Sequence, residues 1–231
     1  GGRVLLAVAL LAEFVGLLPE RLVLLRLLLP AVLAHRGSGG PCPRSEQHED
    51  GDDDALALAA GLHNNTHLKR LQMHNNNILD RGAAALGKAL LENDRLEFLS
   101  LSSNGVGDEG AKGLAEGLRG NARLKRLDLY FNVVGNAGAI ALANALRLNT
   151  GLRTLHLDTN RIEDEGGLAL ASAIRGERAS LFSRKPAAPP AMIGELGLAY
   201  NQLSNIAVDA LLNAAKANPA IHRLAVDHNH Q

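Results

Sequence analysis

The stretch that decides the fold is residues 124–132, which read LKRLDLYFN. Leucines stand at its first, fourth and sixth positions, and an asparagine closes it. The same phrase, with occasional Ile, Met or Val in place of Leu, closes on Asn76, Asn104, Asn132, Asn160, Asn201 and Asn229. Successive asparagines lie 28, 28, 28, 41 and 28 residues apart, so the chain is a tandem repeat.

The two halves of each unit have different apolar periods. Leu127 and Leu129 alternate with other residues, which predicts a short strand. Leu114 and Leu118 lie four apart among small residues, which predicts one face of a helix, and Asp108 opens that helix at its positive end. Because neither half can bury its apolar face alone, the units must stack. The sequence therefore predicts an α/β solenoid with parallel strands on the concave side and helices on the convex side.

These motifs resemble the ribonuclease-inhibitor subfamily of leucine-rich repeats, from Asp53 to the end of the sequence. The same unit occurs in ribonuclease inhibitor, in the receptor ends of NOD-like innate sensors and in the activating protein of the Ran GTPase. The resemblance implies a right-handed horseshoe arc that binds a protein partner on its concave strand face, as a scaffold or sensor without enzymatic activity. The alternative is a GTPase activator similar to the Ran activator. Ribonuclease inhibition is disfavoured, because that family is cysteine-rich, acidic and supplied with Trp, whereas this chain has one Cys, no Trp and zero net charge.

The sequence predicts three segments. Residues 1–36 are strongly apolar but interrupted by charges and prolines, which favours one or two packed helices of a partial or upstream domain over a membrane span or a signal peptide. Residues 37–52 form a polar linker, and residues 53–231 form the repeat domain. The long step of 41 residues predicts an exposed, proline-containing loop inserted at about 180–192, which is either a partner-specific insertion or an error in the gene model.

Composition excludes several classes of function. The 24 basic and 24 acidic residues leave no positive excess to attract nucleic acid or anionic lipid. The single cysteine, Cys42, excludes an internal disulfide framework and a cysteine-rich zinc site, and it favours a reducing compartment. We therefore expect a cytoplasmic monomer that binds neither nucleic acid nor membrane.

Two motifs invite a chemical interpretation. Residues 105–110 read GVGDEG, the glycine pattern of a dinucleotide-binding turn. Val106 and Gly110 are, however, ordinary repeat positions matched by Val134 and Gly138, so we interpret the motif as part of the repeat. Histidines gather at positions 63, 67 and 74 and at 222, 228 and 230, where we expect solvated loop residues and not metal ligands. We expect no catalytic residue, no metal and no cofactor.

The variable positions of the repeated phrase carry the binding prediction. Four of the six aromatic residues occupy such positions, and since Leu, Ile and Ala fill the core, we expect these rings to be exposed binding anchors. The alternative is that some of them, Phe131 especially, pack against neighbouring loops. Basic residues at the strand starts predict a basic row (Lys69, Arg70, Lys125, Arg126, Arg153 and Arg223) beside an acidic row (Asp128, Asp158 and Asp227).

We expect the partner to present an acidic patch to the basic row; the alternative is a merely solvated surface. The predicted partner-binding residues are Arg70, Phe98, Arg126, Asp128, Tyr130, Phe131, His156, Asp158 and Tyr200.

Overall fold

A computed structural model describes residues 25–26, 49–63, 65–176 and 190–229, in which short strands alternate with helices. The strands are β1 (Leu25–Arg26), β2 (Arg70–Gln72), β3 (Phe98–Ser100), β4 (Arg126–Asp128), β5 (Thr154–His156), β6 (Glu195–Gly197) and β7 (Arg223–Ala225). The helices are α1 (Glu49–His63), α2 (Asp80–Glu92), α3 (Asp108–Gly120), α4 (Asn136–Leu146), α5 (Asp164–Arg175) and α6 (Asn205–Ala217).

All the strands lie in one parallel sheet in sequence order, and each helix packs on the next helix along the chain. The middle leucine of each strand lies beside its equivalent in the next, as Leu99 lies between Leu71 and Leu127. Leu71, Leu99 and Leu127 are fully buried, and so are Leu114 and Leu118 of the helical half. The predicted α/β repeat solenoid is therefore confirmed.

The long step between repeats does not disturb the sheet. Leu155 of β5 pairs in register with Leu196 of β6, so the extra residues leave the stacking unchanged. Of the predicted inserted loop at 180–192, only residues 190–192 belong to the described part of the chain.

The described structure differs from the prediction at its beginning. β1 lies in the segment 1–36 that was predicted to be helical, and it extends the sheet beyond β2. The rest of that segment lies outside the described residues. Helix α1 begins at Glu49, inside the predicted linker 37–52, so the predicted boundary at residue 53 falls within a helix.

The asparagines that close the repeated phrase join adjacent coils. The side-chain amide of Asn132 donates to the carbonyls of Leu101 and Leu129, and its oxygen accepts from the amide of Val106 in the preceding coil. Asn104 makes the equivalent bonds one coil earlier. The ladder thus satisfies buried backbone groups at the tight turn that follows each strand.

A second ladder lies at the other end of each unit. The amide of Asn121 donates to the carbonyls of Leu90 and Asn93, and its oxygen accepts from the amides of Arg123 and Leu124. Asn93, Asn149 and Asn218 make corresponding bonds. Both asparagine series are therefore structural.

The helices are capped from the neighbouring coil. Asp80, the first residue of α2, accepts hydrogen bonds from the amides of Gly107 and Gly110 at the start of α3, at 2.7 and 2.9 Å. Asp108 does the same for α4. Each carboxylate therefore satisfies free amides at the positive end of the following helix.

The last of these capping interactions lowers the pKa of the capping carboxyl group, that of Asp164. The side chain of Asp164 accepts hydrogen bonds from the hydroxyl and the amide of Ser204, at 2.6 and 2.7 Å. These bonds, that of the hydroxyl first, hold the pKa of Asp164 below its ordinary value, because they stabilise the charged form.

The same cap explains the repeated glycine. A β-carbon at Gly110 would lie 2.8 Å from Oδ1 of Asp80 and 2.9 Å from Cγ1 of Val106. Gly138 is equally close to Asp108 and Val134. A side chain at either position would push the capping carboxylate away, so the glycine follows from coil-to-coil packing.

Candidate functional site

The strand face is the side of the sheet formed by the first and third residue of each strand and by the two residues that follow the next leucine. In β4 these are Arg126, Asp128, Tyr130 and Phe131, which are exposed or half-buried, while Leu127 between them is fully buried. Because adjacent strands pair in register, equivalent residues form rows across the sheet.

The burial of Phe98 contradicts the prediction that this ring is exposed. The ring was expected to be exposed, but the side chain retains only 7% of its accessible surface. The guanidinium Cζ of Arg70 lies 4.4 Å from the ring centroid, and that of Arg126 lies 5.5 Å from it. Phe98 lies between them in the same row, so the two arginines cover the ring. Its contribution to the surface is to support these cations.

The row itself continues through Thr154 of β5 to Glu195 and Arg223. A chain of polar contacts joins Arg126 to these two residues through His156, the third residue of β5. Nη2 of Arg126 lies 3.5 Å from Nδ1 of His156, whose Nε2 lies 3.5 Å from Oε1 of Glu195. The same Glu195 oxygen lies 2.9 Å from Nη1 of Arg223. The predicted basic row is therefore interrupted by Phe98, Thr154 and Glu195, and Glu195 neutralises its far end.

Two predicted acidic residues also have local structural partners. Oδ1 of Asp128 accepts from the amide of Tyr130, and Oδ1 of Asp158 accepts from the amide of Ala199 in the next coil, each at 3.0 Å. Both side chains are half-buried. These bonds fix the turns that follow β4 and β6.

The turn aromatics, Tyr130, Phe131 and Tyr200, are exposed as predicted. Their relative exposures are 45%, 55% and 55%. The rings of Tyr130 and Phe131 lie 6.1 Å apart and are tilted, while Tyr200 stacks on His228 with a centroid separation of 4.4 Å. Phe131 was the ring for which packing against a neighbouring loop was the stated alternative, and its exposure shows that it is not packed away from solvent.

Phe131 and Tyr200 have an unusual backbone. The residue before each asparagine that closes the repeated phrase has positive φ, at 54° for Phe131, 56° for Thr159 and 55° for Tyr200. This left-handed region is unfavourable for bulky residues and is commonly occupied by Gly or Asn, as at Asn75. The sequence did not reveal this conformation, because it is imposed by the turn and not by the residue.

Glu195 and His228 belong to this surface and contact its other side chains, but they were not among the residues predicted from the sequence. The insertion before β6 hid the equivalence of Glu195 with Arg126, although aligning the repeats on Leu196 places it in that row. His228 is equivalent to Tyr200 and stacks on it, whereas from the sequence it was expected to be a solvated loop residue.

The glycine motif at 105–110 has no free anion site. The amides of Gly107 and Gly110, which would face a pyrophosphate, already donate to Asp80. The amide of Gly105 donates to the carbonyl of Ile78. The chain's own carboxylate thus takes the place that a bound phosphate would need.

The histidines are dispersed among other partners. Nδ1 of His63 contacts a carboxylate oxygen of Glu92, and Nδ1 of His67 lies 3.1 Å from the hydroxyl of Thr66. Within the described ranges, no group of three or more His, Cys, Asp or Glu side chains could hold a metal ion. None of the helices in those ranges is long and apolar enough to cross a membrane.

A family model described as Leucine Rich repeat matches residues 64–87, 95–115, 120–143 and 148–171. No curated protein matches the chain. Together with the register of the sheet, the four matches identify these units as leucine-rich repeats, stacked in an α/β solenoid.

Solved structures of other proteins resemble this fold. The tropomodulin C-terminal domain of Caenorhabditis elegans is 15% identical with a TM-score of 0.54, over 72% of this chain and 92% of that one. The second actin-binding site of leiomodin-1 is 15% identical with a TM-score of 0.45, over 81% and 80% of the two chains. A plant ice-binding protein is 18% identical with a TM-score of 0.37, over 71% and 58%. At 15% identity, the likeness to the tropomodulin domain shows the fold alone.

Proposed function

We propose that this chain is a protein-interaction module that binds a protein partner on its strand face. The observation that carries the proposal is the exposure of the turn aromatics on one edge of that face. The core is complete without them, because the leucines of the same phrase fill it. Large exposed rings are the residues that most often dominate binding energy at protein interfaces.

The backbone beneath two of these rings strengthens the proposal. A bulky residue in the left-handed region costs on the order of 1 kcal/mol, and Asn would remove most of that cost. Phe131 and Tyr200 nevertheless occupy such positions and expose their side chains. Strain combined with exposed apolar surface is better explained by binding than by stability.

The fold supports a scaffold or sensor with no enzymatic activity. Solenoids present long continuous surfaces, and stacked rows allow one partner to contact several repeats. The 28-residue unit and its double asparagine ladder support assignment to the ribonuclease-inhibitor type, as in NOD-like receptors. We propose a cytoplasmic location, which the single cysteine supports, and a monomer.

The GTPase activator remains the alternative. It predicts that the chain accelerates GTP hydrolysis by the Ran GTPase. We expect single-turnover hydrolysis by Ran to be unchanged by a large excess of this chain. An acceleration of about tenfold or more would favour the alternative instead.

Affinity purification with the full-length gene product tests the binding function. We compare the unaltered protein with a Tyr130→Ala, Tyr200→Ala double variant, which keeps the charge and the core. The matched control is Leu91→Ala, Ile206→Ala, because these side chains are 51% and 70% exposed on helices α2 and α6.

A partner retained by the control and lost by the aromatic variant would support the proposal. Each truncation at the centre of an interface should cost about 2 kcal/mol, so the double variant should bind at least about 100-fold more weakly. Equal retention by the two variants, or loss in the control alone, would contradict binding on the strand face.

A further inference from the structure

We propose that Arg70 and Arg126, held by Phe98, form an arginine clamp that binds carboxylate side chains of an acidic segment in a protein partner. This inference rests on the proposed function and names the chemistry of the partner. It concerns the β2–β4 end of the strand face, whereas the turn aromatics extend from the turn after β4 to the turn after β6.

The geometry of the clamp follows from the sheet. Arg70, Phe98 and Arg126 are the first residues of three adjacent strands and pair in register. The two Cζ atoms lie 4.4 and 5.5 Å from one ring centroid, so they can be no farther apart than about 10 Å, close to the roughly 9.6 Å between a strand and its second neighbour. A guanidinium that stacks on a ring directs its N–H groups outward in its own plane, and one of these, at Nη2 of Arg126, contacts His156.

Charge is left uncompensated at this end of the row. Glu195 lies against both His156 and Arg223 and neutralises the opposite end. Among the described residues, no acidic side chain forms an ion pair with Arg70 or Arg126. Asp128, which lies on the same strand as Arg126, accepts a hydrogen bond from the amide of Tyr130. The clamp thus presents two guanidinium groups that have no acidic partner among the described residues.

The ligand chemistry follows from the donors. A guanidinium binds a carboxylate or a phosphate through two parallel hydrogen bonds. Arg70 and Arg126 begin strands that lie two strand spacings apart, roughly 9.6 Å, which suits two carboxylates spread along a chain better than one compact phosphate. An extended segment with acidic residues two positions apart places both on one face, with Cα atoms about 7 Å apart, and their side chains can spread to reach both arginines.

The burial of Phe98 gives the ring a positioning role. The ring is 7% exposed and therefore offers little surface to a partner. By holding both side chains in place, it reduces the rotamer entropy that they would lose on binding. An arginine that is not stacked on a ring would still attract carboxylates, but it would bind them less tightly, because it loses more rotamer entropy on binding.

The test measures binding of a fluorescent glutamate-rich peptide to the full chain by anisotropy, beside a glutamine-rich peptide of equal length. Arg70→Gln, Arg126→Gln removes two charges from the clamp. Its matched control, Lys88→Gln, Arg119→Gln, removes two exposed charges from helices α2 and α3. We expect at least about tenfold weaker binding for the clamp variant and a change below about twofold for the control.

Two further variants separate positioning from charge. Phe98→Leu keeps every charge and should weaken binding about threefold or more through loss of the stacked support. If that variant folds poorly by circular dichroism, Arg70→Lys, Arg126→Lys gives the same information without touching the core, since lysine cannot form the planar fork. Arginine side-chain NMR signals should shift at both positions when the glutamate peptide is added.

Equal affinities for the clamp variant and its control would overturn the inference. Tighter binding of a phosphoserine peptide of equal charge would overturn the choice of carboxylate. A natural partner that is lost by the Tyr130→Ala, Tyr200→Ala variant but kept by the clamp variant would leave the proposed function standing and reject the clamp. Loss in both variants supports both.

Discussion

Replacing Asn132 with alanine should destabilise the chain by about 3 kcal/mol. The side chain is 7% exposed and makes four hydrogen bonds, to the carbonyls of Leu101, Leu129 and Tyr130 and from the amide of Val106. The three carbonyls each keep a second donor, from Asn104, Asn160 and the amide of Ser103. Among the described groups, only the Val106 amide is left without an acceptor.

The magnitude follows from this accounting. A buried amide without an acceptor costs about 1–3 kcal/mol, and each of the three weakened carbonyls adds about 0.5 kcal/mol. The matched control is Asn144→Ala, because Asn144 is exposed on α4 and its replacement should change stability by less than about 0.5 kcal/mol.

Equilibrium urea unfolding followed by far-UV circular dichroism measures both variants. If Asn132→Ala is no less stable than Asn144→Ala, the hydrogen bonds of Asn132 contribute nothing to stability beyond ordinary surface contacts, and the predicted role of the ladder is wrong. A loss above about 6 kcal/mol would also contradict it, since the shared carbonyls could not account for so large an effect.

Three further predictions concern the repeat itself and use the same unfolding assay. Gly110→Ala should destabilise by about 1–3 kcal/mol, despite the better helix propensity of Ala, because the new β-carbon would lie 2.8 Å from the Asp80 carboxylate; a gain in stability would reject the packing explanation. Thr159→Asn should stabilise by about 1 kcal/mol, because Asn tolerates the positive φ of 56° better than a β-branched residue does; no gain would mean that the turn is not strained. Asp164 has a lowered pKa in the folded chain, so its bonds to Ser204 stabilise the fold above the ordinary value of 3.8 and are lost as pH falls through the lower folded value. Ser204→Ala should therefore reduce the pH dependence of stability in that acidic window, and an unchanged dependence would contradict the link.

The sequence predicted the core because the pattern that defines it is local. Leu127 and Leu129 alternate within one strand, and Leu114 and Leu118 share one helix face, so their burial follows from two periods. The spacing of Asn104 and Asn132 then implied stacking in register, which the sheet confirms.

Features that depend on adjacent coils were harder to predict. The cap of α3 comes from Asp80 in the preceding unit, and a pattern read along one helix assigns an acidic residue only to its own helix. Phe98 was expected to be exposed because its position in the phrase is variable. Its burial depends on the residue types at the equivalent positions of both flanking strands, Arg70 and Arg126, which only the register brings together.

The charge pattern of the strand face was predicted only in part. The arginines were identified at the strand starts, but the insertion before β6 concealed Glu195 as a member of the row. Glu195 changes the physical picture, since it neutralises Arg223 and leaves the positive charge at the β2–β4 end. Whether the surface binds a partner is a property of a second molecule, and no pattern within this chain determines it.

Hydroxyl-radical footprinting of the chain with and without its purified partner is the most direct test of the claim that the strand face binds protein. If the strand face binds the partner, Tyr130, Phe131 and Tyr200 should react less with hydroxyl radicals in the complex, while the exposed Leu91 and Ile206 on the helices should react as before. Protection of the two helix residues with unchanged reactivity of the three rings would contradict it.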